Sequence, residues 1–529
     1  MKRRPLRRLF GNDVCLYWFN AVLLSVLLGW WMYTFVLNAQ QLTDQIDGRT
    51  SISIDSSIDS DHAFDTDTDY AIEVLDFMDK HRSGKIPPKN MIPGPEPMVT
   101  HRCWFGQPAF PTVVTRTTPD WQLVDDIDNA LEMYVYSAHY DNRENDLYPD
   151  AVAVVQILTM VRRELKQRVY CQLWATVNAS APALKVTAYA REIWQRPWDP
   201  RNRFYVPVLL SCPIPPANAG LMPKYVSVAV TSACEQTSNA VRISETSTNA
   251  SPTTDKDGVV VCVKGMDFMD DVSQRLVEWI EAQLLMGADK IVMYTYALHP
   301  TTAKVLDHYR KMGTLEHIPI TLAGHAPNIP SARSSYIWRN RQQKRRNELI
   351  PYNDCLFRHV NTHDYVLIVD TDELVVPLVH GDWRQLLRHV RANRTDVSSF
   401  SIVNAFKFDA LTSDFNDSLP AYMHMLRHDI RSRQLSAPGA YGKSFVYTPN
   451  VLTVFNHFPL HRVRRSVKNT KFVDKRLALK LHYKAKCPIE SRDECPMLMS
   501  DTVRDESLDR FADELVLRTR TVVETLALV

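Results

Sequence analysis

From Gly258 to Val390 the chain alternates short apolar runs with stretches of helical periodicity, and this alternation restricts its fold more than any other feature. VVVCV reads as a strand. DDVSQRLVEWIEAQLLMG then spaces Val272, Leu276, Ile280 and Leu284 along one helical face, with Gly287 as a stop. KIVMYTY is the next strand. TTAKVLDHYRKMG follows as a helix with Val305, Leu306, Tyr309 and Met312 on one face, ending at Gly313 before the strand TLEHIPI. Further helical residues precede YVLIV, and the helix DWRQLLRHV comes after it. Regular alternation of this kind predicts an α/β domain built on a mostly parallel sheet covered on both faces. Ligands of such sheets bind beyond the carboxyl ends of the strands.

At that end VLIVDTDELVVP, Val366 to Pro377, crowds together Asp370, Asp372 and Glu373. In an extended chain Asp370 and Asp372 share a face, and two unit charges about 4 Å apart repel by roughly 4 kcal/mol near a protein surface. A divalent cation such as Mg²⁺ or Mn²⁺ would offset that, since both favour carboxylate oxygens. The alternative is an Asp-rich turn whose side chains bond the local backbone. A P-loop ATPase is excluded. In PGAYGKS the spacing requires Gly at 437, where Ala437 stands, and the segment follows the carboxylates instead of the first strand.

The N-terminus predicts where such a site works. MKRRPLRR is basic, and Val14 to Leu37 carries no charge and is long enough to cross a bilayer core of about 30 Å. The run exceeds the roughly 7–15 apolar residues of a signal peptide. Lys2, Arg3, Arg4, Arg7 and Arg8 against Asp44 and Asp47 place the N-terminus in the cytosol. The expected organisation is a cytosolic tail (1–13), a transmembrane anchor (14–37), a Ser/Asp/Thr-rich stalk with a Pro/Gly spacer (38–100), a lumenal module (101–255) and the α/β domain (256–529). LEMYVYSAHY, RVYCQLWATV, LKVTAYAREI and KYVSVAV make the module mainly β.

Beyond the span lie eight cysteines, an even set that favours disulfides in an oxidising lumen, and Cys487 and Cys495 are close enough to close a short loop. Asn178, Asn249, Asn393 and Asn416 each begin a glycosylation sequon. The net charge of +2 gives no reason to expect a nucleic-acid partner. RNRQQKRRNE, Arg339 to Glu348, reads either as a solvated helix face or as a cationic rim facing a diphosphate.

EWIEAQLLMGADKIVMYTYA, HYRKMGTLEHIPI, YNDCLFRHVNTHDYVLIVDTDELVVP, KSFVYTP, NHFP and LHYK together resemble the blocks of glycosyltransferase family 92, formerly domain of unknown function 23; YSAHYDNREN resembles its upstream block. The resemblance implies a GT-A type, Rossmann-like fold anchored in the Golgi membrane as a single-pass type II protein. It also implies UDP-galactose as donor, a glycan acceptor, Mn²⁺ and β-1,4-galactosyl transfer. Asp370, Asp372 and His482 would hold the metal, with His457 in reserve. Glu373 would orient the pair or the acceptor. Lys264, Asp354 and Lys443 are the candidates for binding substrate. The chain departs from the family pattern at Thr295, after Tyr294, and at Glu348, positions that bear on the choice of nucleotide sugar. Inverting transfer needs a general base, expected at Asp409 or Asp414 in FKFDALTSDFND; Asp417 lies inside a sequon. The amphipathic C-terminal segment (Leu508, Phe511, Leu515, Val522, Leu526) is expected to dock as a helix over the nucleotide. The rival reading is an inactive glycan-binding or scaffold protein of the same fold. A retaining transferase would share the metal logic.

Overall fold

The computed structural model describes residues 97–124, 131–162, 164–196, 199–201, 203–244, 258–392, 394, 396–411, 419–487 and 494–528. The first strands are β1 (Gln122–Val124), β2 (Glu132–Asp141), β3 (Ala153–Arg162), β4 (Val169–Trp174), β5 (Leu184–Glu192), β6 (Tyr205–Ile214), β7 (Tyr225–Ala229) and β8 (Val241–Ser244). They pair in the order β1-β2-β3-β6-β5-β4-β7-β8, and β8 returns to β2 in parallel, Ala138 facing Ile243, so that seven strands close into a barrel. Closure removes the exposed edges that an open sheet would offer to other chains. Strand β3 is apolar without alternation because both of its faces are covered. Val155, Ile157 and Val161 point into the barrel, whereas Val154, Leu158 and Met160 share a second core with Ile350 and Leu356. Cys171 and Cys212 join β4 to β6 across β5, and Cys103 pairs with Cys234.

The second half runs β9 (Val259–Phe268), α1 (Ser273–Met286), β10 (Lys290–Leu298), α2 (Pro300–Met312), β11 (Leu315–Pro319), α3 (Pro330–Arg339), α4 (Arg341–Asn347), α5 (Leu349–His359), β12 (Tyr365–Ile368), β13 (Glu373–Pro377), α6 (Trp383–Arg391), β14 (Ser399–Ile402), β15 (Asn404–Phe408), α7 (His424–Arg427), β16 (Ile430–Ser432), β17 (Lys443–Tyr447), β18 (Val451–Val454), β19 (Pro459–Arg462), β20 (Lys471–Phe472), β21 (Ala478–Lys484), α8 (Cys495–Ser500), β22 (Thr502–Arg504) and α9 (Ala512–Thr525). Its main sheet has the order β11-β10-β9-β12-β17-β14-β20. One face packs on α1, α2, α6 and α9 through Leu276, Ile280, Val305, Tyr309, Leu386 and Leu515. The other packs on α5 and the outer face of the barrel. Gly287 and Gly313 end α1 and α2 at φ values of 114° and 80°, in the left-handed region that favours glycine. Cys262–Cys355 ties β9 to α5, and Cys487–Cys495 closes the short loop.

Three parts of the expected fold are corrected. The sheet is mixed: β11-β10-β9-β12 are parallel, but β17 runs antiparallel to both β12 and β14. The mainly β module is a closed barrel, because strands far apart in sequence pair around a ring. The expected N-terminal transmembrane helix is not among the described elements. Among the described residues no helix is long and apolar enough to cross a membrane, and the run from 14 to 37, like the expected tail and most of the stalk, lies outside them.

Candidate functional site

The acidic segment is where the chain leaves the main sheet. β12 ends at Ile368, and β13 begins at Glu373 in a separate sheet of order β13-β21-β15. Between them lies a turn, not a continuing strand. The Glu373 N–H donates to the Asp370 carbonyl (3.0 Å), and the Asp370 N–H donates to Glu373 Oε2 (2.9 Å). Trp279 Nε1 (2.9 Å) and Gln283 Nε2 (3.0 Å), both on α1, donate to the Glu373 carbonyl and fix the turn from below.

Strand β21 supplies one wall. Its alternation puts Lys480, His482 and Lys484 on a common face, and the register sets His482 opposite Glu373. Lys480 Nζ donates to Glu373 Oε1 (2.6 Å), and Lys484 Nζ donates to Asp372 Oδ2 (2.6 Å). His482 stacks on Phe406 of β15 at 5.5 Å. Its Nε2 lies 3.6 Å from Asp372 Oδ2 and 3.7 Å from Glu373 Oε1, without a hydrogen-bond partner. The opposite wall comes from β9 and β17. Lys264 Nζ is 3.0 Å from Asp370 Oδ1 and 3.4 Å from Glu348 Oε1. Lys443 Nζ is 3.4 Å from Glu373 Oε2 and donates to Asn456 Oδ1 (3.0 Å).

The electrostatics follow from this enclosure. Burial opposes ionisation of Asp370, yet Lys264 and Lys443 hold its carboxyl well below the ordinary value. Burial likewise opposes the Glu373 charge, and Lys443 and Lys480 outweigh it. Burial and then Lys480 push His482 down, which favours its neutral form. Glu373, Lys443 and Lys480 are buried and make the floor of the site. Asp370 and Asp372 keep 22% and 32% of their side chains exposed, so a ligand can reach them. Lys480 Nζ, 3.5 Å from His482 Nδ1, can only donate, so in the neutral ring Nε2 carries the hydrogen and gives it up when a metal binds. Two reachable carboxylates and that imidazole then form a donor set that suits a divalent metal. A cation there would displace Lys484 from Asp372.

Other candidate residues stand elsewhere. Asp354 is fully buried. It accepts from Tyr294 Oη (2.6 Å) and Arg358 Nε (2.7 Å), and His139 Nε2 of the barrel lies at 2.9 Å. Its carboxylate ties barrel, sheet and helix together and has no face left for substrate. Asp409 lies 3.3 Å from both His424 Nε2 and His428 Nε2, whose rings pack on Tyr483, and no hydrogen bond or ion pair among the described residues joins it to the acidic turn. Tyr483 and His482 point to opposite faces of β21, so Asp409 is behind the sheet from His482. Asp414 and Asp417 fall outside the described residues. His457 donates from Nδ1 to the Gly442 carbonyl (2.7 Å) and is pushed down to about 3 by burial and Lys443. Thr295 Oγ1 pairs with His317 (2.8 Å). In the basic run Arg339, Arg341, Lys344 and Arg345 are exposed, as on a solvated face, whereas Arg346 turns inward over Trp194 and Phe204 toward Asp199. α9 forms as expected and buries Leu515, Val522 and Val523 in the core shared with α1.

Sequence reasoning missed Lys480 and Lys484. The period-two pattern of ALKLHYK carries them, but its meaning depends on knowing that β21 pairs with β13. A search of curated proteins finds no match to the chain. Residues 257–521, from the start of β9 into α9, match the family model of glycosyltransferase family 92. The matched span contains the acidic turn, both lysine walls and His482, and on it the chain belongs to glycosyltransferase family 92.

Proposed function

We propose that this glycosyltransferase moves galactose from UDP-galactose to a hydroxyl of a glycan acceptor, inverting the anomeric carbon to give a β-1,4-type linkage. One observation carries the reading: at the carboxyl end of β12, two reachable carboxylates stand beside a buried imidazole whose Nε2 lacks a partner. Asp370, Asp372 and His482 would hold Mn²⁺. The ion supplies charge neutralisation at the diphosphate as the bond to the sugar breaks. Lys264 and Lys484, partly exposed on either side of the carboxylates, would bind diphosphate oxygens, with Lys443 held behind them. Glu373 keeps the turn in shape. Asp414 is proposed as the general base over Asp409, whose carboxylate faces two histidines. UDP-galactose and the linkage rest on the resemblance to family 92 stated above. Four disulfides favour an oxidising lumen, here that of the Golgi.

The test is UDP release by the purified chain against a panel of UDP-sugars with glycan acceptors, in Mn²⁺ and in EDTA. Release is expected with UDP-galactose, falling about a hundredfold or more in EDTA, with a β-linked product by NMR. No release with any sugar, or equal release in EDTA, contradicts the proposal.

A further inference from the structure

Behind the three-stranded sheet, Asp409, His424 and His428 bring one oxygen and two ring nitrogens within 4.8 Å of one another. His424 begins α7 and His428 caps it, four residues on, so both rings leave one side of a single turn. The turn is pinned. The buried Glu278 carboxylate of α1 accepts from the Met425 N–H (2.8 Å) and the Leu426 N–H (3.3 Å), and Tyr483 packs against both rings.

The hydrogen bonds fix what faces the gap. His428 Nδ1 lies 2.6 Å from the His424 carbonyl, which can only accept, so Nδ1 carries the hydrogen and Nε2 presents a lone pair in the neutral ring. Arg275 Nη2, which can only donate, is 2.8 Å from His424 Nε2, so that nitrogen is also an acceptor. Both nitrogens lie 3.3 Å from Asp409 Oδ1, itself an acceptor when ionised. Three lone pairs thus converge. A proton on His428 joins it to Asp409 while His424 stays with Arg275, whereas a metal ion joins all three ligands.

We propose that Asp409, His424 and His428 bind a divalent metal of the zinc class, with water completing the shell. Two imidazoles and one carboxylate with open positions suit that class better than the all-oxygen shells of Ca²⁺ or Mg²⁺. The ion would brace the end of β15 against α7. That brace lies one step from the acidic turn, because the Asp409 N–H donates to the Lys484 carbonyl (3.0 Å) and Lys484 Nζ holds Asp372. Arg275 is exposed and competes for the His424 lone pair with its own positive charge.

The experiment titrates Zn²⁺ into the full chain carrying Asp372→Asn and His482→Ala, which removes the acidic-turn donors, and reads affinity by competition with a chromophoric chelator. One equivalent of zinc is expected to bind. Asp409→Asn or His428→Ala in that background should weaken it by about tenfold or more, and Arg275→Gln should tighten it. Arg275 is a surface residue, so its substitution keeps the test valid where a ligand variant fails to fold. No zinc bound in the background protein overturns the proposal, as does an affinity unmoved by both His428→Ala and Arg275→Gln.

Discussion

Asp372→Asn is expected to lower transfer by about 10²–10⁴-fold while the protein stays folded. The size of the fall follows from losing several kcal/mol of charge stabilisation at the departing diphosphate, at about 1.4 kcal/mol per factor of ten. Folding survives because Asp372 is partly exposed, and its partner Lys484 is itself partly exposed and can turn to water. A surface pair of this kind is worth about 0–1 kcal/mol. Turnover measured with UDP-galactose, beside an unfolding midpoint, separates the two effects. Ordinary turnover in a folded Asp372→Asn protein would return the segment to an Asp-rich turn with no role in transfer.

Asp354→Asn is expected to do the reverse, costing about 3 kcal/mol of stability, because it breaks a pair whose carboxylate is buried and leaves Arg358 with Glu316, at 3.3 Å, as its charged partner. The carboxylate is fully buried between Arg358, Tyr294 and His139. Burial would raise its pKa, but Arg358 and His139 hold it far below the ordinary value. Its contribution is therefore present above the unfolded carboxylate pKa of about 4 and is lost as pH falls below that. Denaturant unfolding between pH 7 and pH 3 should show a shallower fall for Asp354→Asn than for wild type. A raised KM with unchanged stability would instead make Asp354 a substrate contact.

Local features were legible in the sequence where they depend on near neighbours. The helices α1 and α2 with their glycine stops, the apolar strands and the terminal helix α9 all follow from periodicity and chain-breaking residues. The closed barrel was not, because its closing contact pairs Ala138 with Ile243 across a hundred or so residues of intervening chain, and no local pattern encodes that. The mixed sheet escaped for a similar reason: β17 is apolar like a parallel strand but enters from the other end. At the site the three carboxylates announced themselves as a cluster of like charge. Of their lysines, Lys264 and Lys443 were already candidates for binding substrate, but Lys480 and Lys484 were not, since the four come from β9, β17 and β21 and meet only through sheet order. The burial of Asp354 was not legible, because an acidic residue in a helix gives no sign of whether a barrel strand will cover it. Asp409 was read as a base from its place after a strand, and its histidine partners arrive from α7.

The most direct test of the account is a Mn²⁺ titration of transfer by wild type, His482→Ala and His457→Ala. His482 Nε2 has no partner and faces Asp372, whereas His457 is bonded to the Gly442 carbonyl behind Lys443. His482→Ala should raise the Mn²⁺ needed for half-maximal rate by about tenfold or more, and should weaken UDP binding only when Mn²⁺ is present. His457→Ala should keep the wild-type Mn²⁺ dependence. A shift for His457→Ala with none for His482→Ala, or rates independent of Mn²⁺ in all three proteins, would contradict a cation held at the acidic turn.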